Sequence, residues 1–300
     1  MRSTYLPLII NKKTQNMKFL KLIPLLLLPA VVLPSCSDDD NERDNTATLT
    51  LPTTTNFIAS YDNTTGTLNS LPGASFNITV NYSASTYQVS VSDLQYAPGQ
   101  VATSFVLPEL HYAVTNDGWE MEHEGDIKVD ASNGVSTISD LKVVFNLRAT
   151  GDQTLVALSF TIDHRYDINT VLVQNVFVGT TSSVDMTDPT DKPFSTKNPQ
   201  YFVQIDKTGK TATLRIAYPQ FVATMPTSIQ VMDFPGIPLT ITREGFSLNA
   251  SEIIPEIKGT PYPNFKITNL HATVETGDDF DLTFECEHFN RRVTVEGTAY

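Results

Sequence analysis

Apolar and polar residues alternate in several short stretches of this chain. Val156, Leu158, Phe160 and Ile162 are separated by small or polar residues, and Phe280, Leu282, Phe284 and Cys286 repeat the pattern with Asp, Thr and Glu between them. A period of two sets every second side chain on one face of a strand, so these segments read as half-buried antiparallel β-strands. Their Thr, Val and Tyr content suits a pleated surface. Gly-containing turns, KTGK from Lys207, TNDG from Thr115 and TREG from Thr242, predict hairpin connections. No segment after residue 36 carries the apolar spacing of an amphipathic helix.

The strand pattern is duplicated. SFNITVNYSASTYQVSVSDLQY from Ser75 aligns with QYFVQIDKTGKTATLRIAYPQF from Gln200, and LPELHYAVTNDGW from Leu107 with FPGIPLTITREGF from Phe234. ISDLKVVF from Ile138 then matches ITNLHATV from Ile267, and LSFTIDH from Leu158 matches LTFECEH from Leu282. Four blocks in one order, with offsets between 124 and 129, predict two copies of one unit. With about seven or eight strands in each, the expected fold is all-β: two tandem antiparallel domains, each a β-barrel or a β-sandwich.

Polar stretches suggest the boundaries. GTTSSVDMTDPTDKPFSTKN, from Gly179 to Asn198, is rich in Thr, Ser, Asp and Pro, and residues 181–198 are expected to link a first domain over 53–180 to a second over 199–300. Residues 36–52 read as a polar tether. Before them, Lys18 and Lys21 precede a short apolar run from Leu22 to Leu33, so residues 1–35 are expected to be a cleavable signal peptide whose true start is Met17.

Leu33, Pro34, Ser35 and Cys36 resemble a lipobox, and the following Ser37, Asp38, Asp39 and Asp40 are similar to the acidic export signal of Bacteroidetes surface lipoproteins. Pro34 departs from the commonest lipobox pattern. With strands ending near Phe177 and Gly179, an aromatic and a glycine, and near Val295 and Gly297, the chain resembles the calycin-like β-barrel lipoproteins of that group. The resemblance implies diacylation of Cys36, anchoring in the outer membrane facing the cell surface, and a ligand-holding barrel or cup of unspecified cargo. Two acyl chains suffice for stable anchoring where one binds only marginally.

Charge narrows the partners. All 33 acidic residues follow Cys36, whereas Arg2, Lys12, Lys13, Lys18 and Lys21 precede it, leaving 15 basic side chains and a net charge of −18 on the mature chain. Such a surface repels nucleic acid. Of two cysteines, acylation of Cys36 leaves only Cys286, so no intramolecular disulfide is expected.

Candidate chemistry is sparse. Cys286 aligns with Ile162 and reads as a small buried hydrophobe. Trp119, the only tryptophan, is either a carbohydrate-stacking platform or, like its counterpart Phe246, a packing aromatic. Asp163 with His164, echoed by Glu287 with His288, is the one acid and histidine pairing present in both copies. If the strand continues through them the two side chains diverge, and the histidines extend the inward stripe to close the core; the alternative is a ligand-binding or metal role for His164 and His288. His123, among the carboxylates of EMEHEG, reads as part of a solvated face. The aspartate runs Asp185, Asp188, Asp191 and Asp278, Asp279, Asp281 do not have the spacing of a calcium loop, and no metal or other cofactor is expected. No GxSxG elbow, phosphate-binding glycine loop, HExxH helix or CxxC pair follows Cys36.

The sequence-level expectation is a non-enzymatic surface lipoprotein that binds a small apolar molecule or a glycan. The alternatives are an interaction subunit of an envelope protein complex and a glycan hydrolase with an unrecognised carboxylate pair. Metabolic labelling with a palmitate analogue tests the anchor. The wild-type chain is expected to be labelled and Cys36→Ser to remain unlabelled, whereas equal labelling would remove the lipobox reading.

Overall fold

The computed structural model describes residues 46–114, 118–134, 137–147, 153–188, 190, 192–275 and 279–300. Cys36, Ser37, Asp38, Asp39 and Asp40 lie outside them. The first copy contains β1 (Thr46–Leu51), β2 (Asn56–Asp62), β3 (Thr67–Pro72), β4 (Ser75–Asn81), β5 (Thr86–Leu94), β6 (Thr103–Val106), β7 (Leu110–His111), β8 (Ala113–Val114), β9 (Gly118–His123), β10 (Ile127–Lys128), β11 (Thr137–Leu147), β12 (Gln153–Ile162) and β13 (Tyr166–Leu172). One sheet runs β1-β4-β5-β6 and the other β3-β2-β13-β12-β11-β9-β8. The chain crosses between them at Pro52, back at Gly73 and Ala74, and again at Tyr112. Inward residues of both sheets, including Phe76, Ile78 and Tyr87 from one and Ile58, Val143 and Phe160 from the other, form a single core.

The second copy contains β14 (Gln174–Asp185), β15 (Phe194–Thr196), β16 (Gln200–Ile205), β17 (Thr211–Ala217), β18 (Val231–Ile241), β19 (Gly245–Ile253), β20 (Glu256–Ile257), β21 (Thr260–Pro261), β22 (Ile267–Glu275), β23 (Asp279–Cys286) and β24 (Arg291–Ala299). The path β17-β16-β14-β24-β23-β22-β19-β18 is closed by pairing of β17 with β18, giving an eight-stranded antiparallel barrel. Within the ring β14 carries β24 along one edge and β16, then β15, along the other. Its first residues, Gln174 to Val178, pair with β16, and Phe177 to Asp185 pair with β24. Gly179 stands opposite Gly297 where it turns, and a Cβ at Gly179 would lie 2.2 Å from the Glu296 carbonyl oxygen. Only glycine permits that approach. In the first copy the same task is divided between β1, which pairs with β4, and β2, which pairs with β13.

Pairing registers bear out the duplication strand by strand. Ile138 faces Ile162 as Ile267 faces Cys286; Phe145 faces Trp119 as Val274 faces Phe246; Phe76 faces Val91 as Tyr201 faces Ile216. Even an irregularity is repeated. Register slips after Ser139 in β11 and after Thr268 in β22, where Asp140 (φ 53°) and Asn269 (φ 54°) take the left-handed conformation. Asp and Asn tolerate that region better than other side chains, which explains why this aligned pair is D over N.

Two boundaries differ from the sequence expectation. The stretch expected to link the domains from residue 181 supplies the second half of β14, and β15 lies within it as well. The chain passes from one copy to the other near Val173, between β13 and β14. The segment concealed itself because its inward residues are hydroxylic. Thr181 and Ser183 are buried, and each is satisfied, Thr181 by a 2.6 Å hydrogen bond shared with the Tyr201 hydroxyl and Ser183 by donating to the Phe221 carbonyl. The expected tether likewise contributes β1, whose Leu51 joins the first core.

The copies are packed together through the outward face of β2 and β13. Phe57, Ala59 and Val171 pack with the second core, and Phe57 fits over Gly209 in the β16–β17 turn. Beside them the Arg243 guanidinium pairs with Asp167 and lies over the Tyr61 ring, 4.3 Å from its centroid. The Arg243 carbonyl accepts a 2.7 Å hydrogen bond from Asn169 Nδ2.

A β-branched residue at the left-handed bulge is costly. Asn269→Val is expected to lower stability by about 1–2 kcal/mol, and Asn269→Gly by less than half as much. Urea denaturation of the two variants checks the ordering, and equal losses would show that the bulge conformation carries no strain.

Candidate functional site

Both copies carry, at the same end, an aromatic residue whose carbonyl is held by an inward serine. In the first copy Ser60 Oγ donates to the Tyr96 carbonyl at 2.6 Å, and the Tyr96 ring meets Tyr166. In the second, Ser183 Oγ donates to the Phe221 carbonyl at 2.5 Å, and the Phe221 ring stands edge-on to Phe284. Tyr96 and Phe221 end the aligned Gln-aromatic pairs, so a match of unassigned meaning in the sequence marks the two residues.

Two residues beyond each serine an aspartate organises the corner. Asp62 accepts from Arg165 Nη2 at 2.8 Å and Nε at 3.1 Å, and from the Thr64 and Thr65 amides. The Arg165 guanidinium, helped by those amides, holds its carboxyl well below the usual carboxylate range against the opposing effect of burial. Asp185 accepts from the Thr187 hydroxyl and amide, the Asp188 amide and Asn290 Nδ2. The Thr187 hydrogen bonds lower its carboxyl too. Sequence reasoning missed both corners, although the shared S-x-D of Ser60–Asp62 and Ser183–Asp185 was a usable signal. Its offset differs from that of the neighbouring blocks, and its second occurrence lay in the expected linker.

The histidines do not close the cores. Asp163 (φ 49°) and His164 (φ 53°) form a turn in which the strand has already ended, and both His164 and His288 are exposed. Asp163 accepts from the Thr137 amide, while His164 Nε2 lies 3.1 Å from Asp126. The equivalent turn in the second copy is unlike it: His288 packs against Phe265 at 4.9 Å and Phe289 at 4.7 Å between ring centroids.

The remaining candidates disperse. Trp119 pairs through its backbone with Phe145, and its side chain lies outside the described atoms; Phe246 is buried. Cys286 is buried, as is Ile162, and burial pushes its thiol pKa up, away from nucleophilic reactivity. Among the described residues no group of three His, Cys, Asp or Glu side chains converges on a point that could hold a metal ion.

The concave surfaces lie outside the two cores. An open depression of about 610 Å³ on the outer wall of the second barrel is bordered by Val178, Thr180, Lys197, Asp279, Asp281 and Glu296. Asp281 and Glu296 are cross-strand neighbours, both exposed on that wall. A second depression, of about 350 Å³, lies where the copies meet, beside Asp140, Asp167, Arg243, Glu244 and Glu275. The interiors are filled. A side chain touching an internal space wide enough for water would keep accessible surface, yet Phe76, Tyr87, Tyr201, Phe234, Phe280 and Phe284 are each less than 2 % exposed. Phe177 stacks on Phe280 with centroids 4.5 Å apart, and Tyr201 packs on the same ring.

The Asp62 corner has a pH signature. Its ionised form is favoured in the folded state, so its contribution is complete above about pH 4 and is lost as pH falls below that value. Asp62→Asn is expected to lose stability less steeply than the wild type between about pH 4 and pH 2, measured by chemical denaturation. Parallel profiles would mean that the carboxylate does not couple folding to protonation.

No protein-family model, curated protein or solved structure matches the chain. What it does must be read from its own residues.

Proposed function

We propose that the chain is a non-enzymatic binding protein, held at the outer face of a bacterial outer membrane through acylated Cys36, whose ligand is a glycan met on the exteriors of the two copies. The supporting observation is the filling of both cores. Small apolar ligands are held in concave sites that take up most of their surface. Here that space is occupied by Phe76 and Tyr87 between the two sheets of the first copy and by Tyr201, Phe234, Phe280 and Phe284 in the second-copy barrel. Both outer depressions are open and carry charged groups on their borders, Lys197, Asp279, Asp281 and Glu296 at one and Asp167, Arg243 and Glu275 at the other, which can meet the hydroxyls of a sugar.

A second reading, an interaction subunit of an envelope complex, is favoured by apolar side chains presented at the β6 end of the first copy. Val106 on β6 and Val101 before it are 53 % and 75 % exposed. Exposed apolar side chains of this kind suit contact with another chain.

Native mass spectrometry of the full-length acylated protein, released gently in mild detergent, discriminates these readings. The exterior-glycan reading expects a mass free of small apolar cargo and adducts with added oligosaccharides. A retained stoichiometric apolar molecule would overturn it, and a co-purifying polypeptide without glycan adducts would favour the envelope complex.

A further inference from the structure

The mouth of the second barrel carries a ring cluster that the first copy lacks. Tyr262 and His288 are both exposed, and both rest on one buried ring: Phe265 lies 5.5 Å from Tyr262 and 4.9 Å from His288 between centroids. Phe289 packs against Phe265 and His288 and completes the support. The backbone beneath is held in place. Pro261 and Pro263 flank Tyr262, the Tyr262 amide donates to the Pro255 carbonyl at 2.8 Å, and the Phe265 amide donates to the Tyr262 carbonyl at 3.0 Å. An exposed ring on a proline-stiffened turn, as Tyr262 is, loses little freedom on meeting a ligand.

The duplication indicates that this cluster is not a requirement of the fold. Where the second copy has Tyr262, Pro263, Asn264 and Phe265, the first has Asn133, Gly134, Val135 and Ser136, and Arg165 follows His164 where Phe289 follows His288. The first copy closes the same turn with the His164–Asp126 and Arg165–Asp62 pairs. A copy of the same strand plan therefore folds without the rings.

We propose that Tyr262 and His288 form a stacking platform for a neutral pyranose. This rests on the exterior-glycan reading above and names its site. The C–H groups on one face of a sugar ring are weakly positive and meet the negative face of an aromatic ring, while its hydroxyls reach the polar rim. That rim selects the charge of the sugar. Lys266 Nζ lies 3.1 Å from Glu252 and 3.5 Å from Glu287, so its one positive charge is taken up by two carboxylates. The surplus negative charge disfavours uronate, sialylated or sulfated glycans. Two exposed rings fall short of the roughly 1,000 Å² that a stable protein interface buries, so a sugar is the better-matched occupant.

The test is binding of the full-length acylated protein in detergent to a panel of neutral gluco-, galacto-, manno- and xylo-oligosaccharides, with uronate-containing oligosaccharides alongside. At least one neutral member is expected to bind, with affinity falling about tenfold in Tyr262→Ala and in His288→Ala. Tyr262→Phe, which keeps the ring, is expected to bind like the wild type, as is the first-copy control His164→Ala. Melting temperatures of the variants separate loss of the platform from loss of the fold. Neutral-glycan binding that survives both alanine substitutions overturns the platform and leaves the exterior reading standing. Preference for the uronate members overturns the neutral-sugar assignment. Failure of every oligosaccharide to bind overturns the platform and the glycan reading together.

Discussion

The second barrel depends on the pairing of its first and last ring strands, β14 and β24. A sheet closes without a free edge only if every ring strand has a partner along both edges, and β14 carries β24 on one edge and β16, followed by β15, on the other. Gly179 and Gly297 make the β14–β24 pairing possible because their strands approach more closely than any Cβ allows. The space left by the missing side chains is taken by aromatics: Phe280 packs over Gly297 and stacks on Phe177. The first copy reaches a similar end by interrupting the strand at Pro52. There Asn56 secures the break, its Nδ2 donating to the Pro52 and Ala74 carbonyls and its Oδ1 accepting from the Ala74 amide.

Burying hydroxyl groups has a cost that hydrogen bonds offset. The Thr86, Thr103 and Thr170 hydroxyls are buried without a hydrogen-bond partner among the described residues, whereas several other buried hydroxyls are satisfied. Ser60 and Ser183 find their partners in the carbonyls of Tyr96 and Phe221, so the same hydrogen bond satisfies a buried hydroxyl and holds the aromatic residue. Filled cores leave the outer walls, the loops and the rims to meet other molecules. On the rim the two copies have diverged, one closing its turn with ion pairs and the other with rings.

Much of this was legible in the residue pattern. The inward stripe Phe280, Leu282, Phe284 and Cys286 is buried as its alternation predicts, and the aligned blocks share their pairing registers because strand geometry has a period of two. Thr181 and Ser183 were misread because a Thr- and Ser-rich run resembles a linker until its hydrogen-bond partners are in place. The histidines were misread because Asp163 and His164 leave the strand through left-handed backbone, which alternation does not reveal.

The sequence by itself determined the all-β class, the duplication, the excess of acid over base and the core position of Cys286. Each follows from composition or from the alternation of neighbouring residues, which are local properties. Only the tertiary structure decided that one copy closes fully and the other is interrupted, that the cores are filled, and that Tyr262 and His288 share a supporting ring. These outcomes depend on contacts between residues far apart in the chain: Gly179 with Gly297, Ser183 with Phe221, and Phe265 with His288. Such contacts exist only once the strands have closed around a common core.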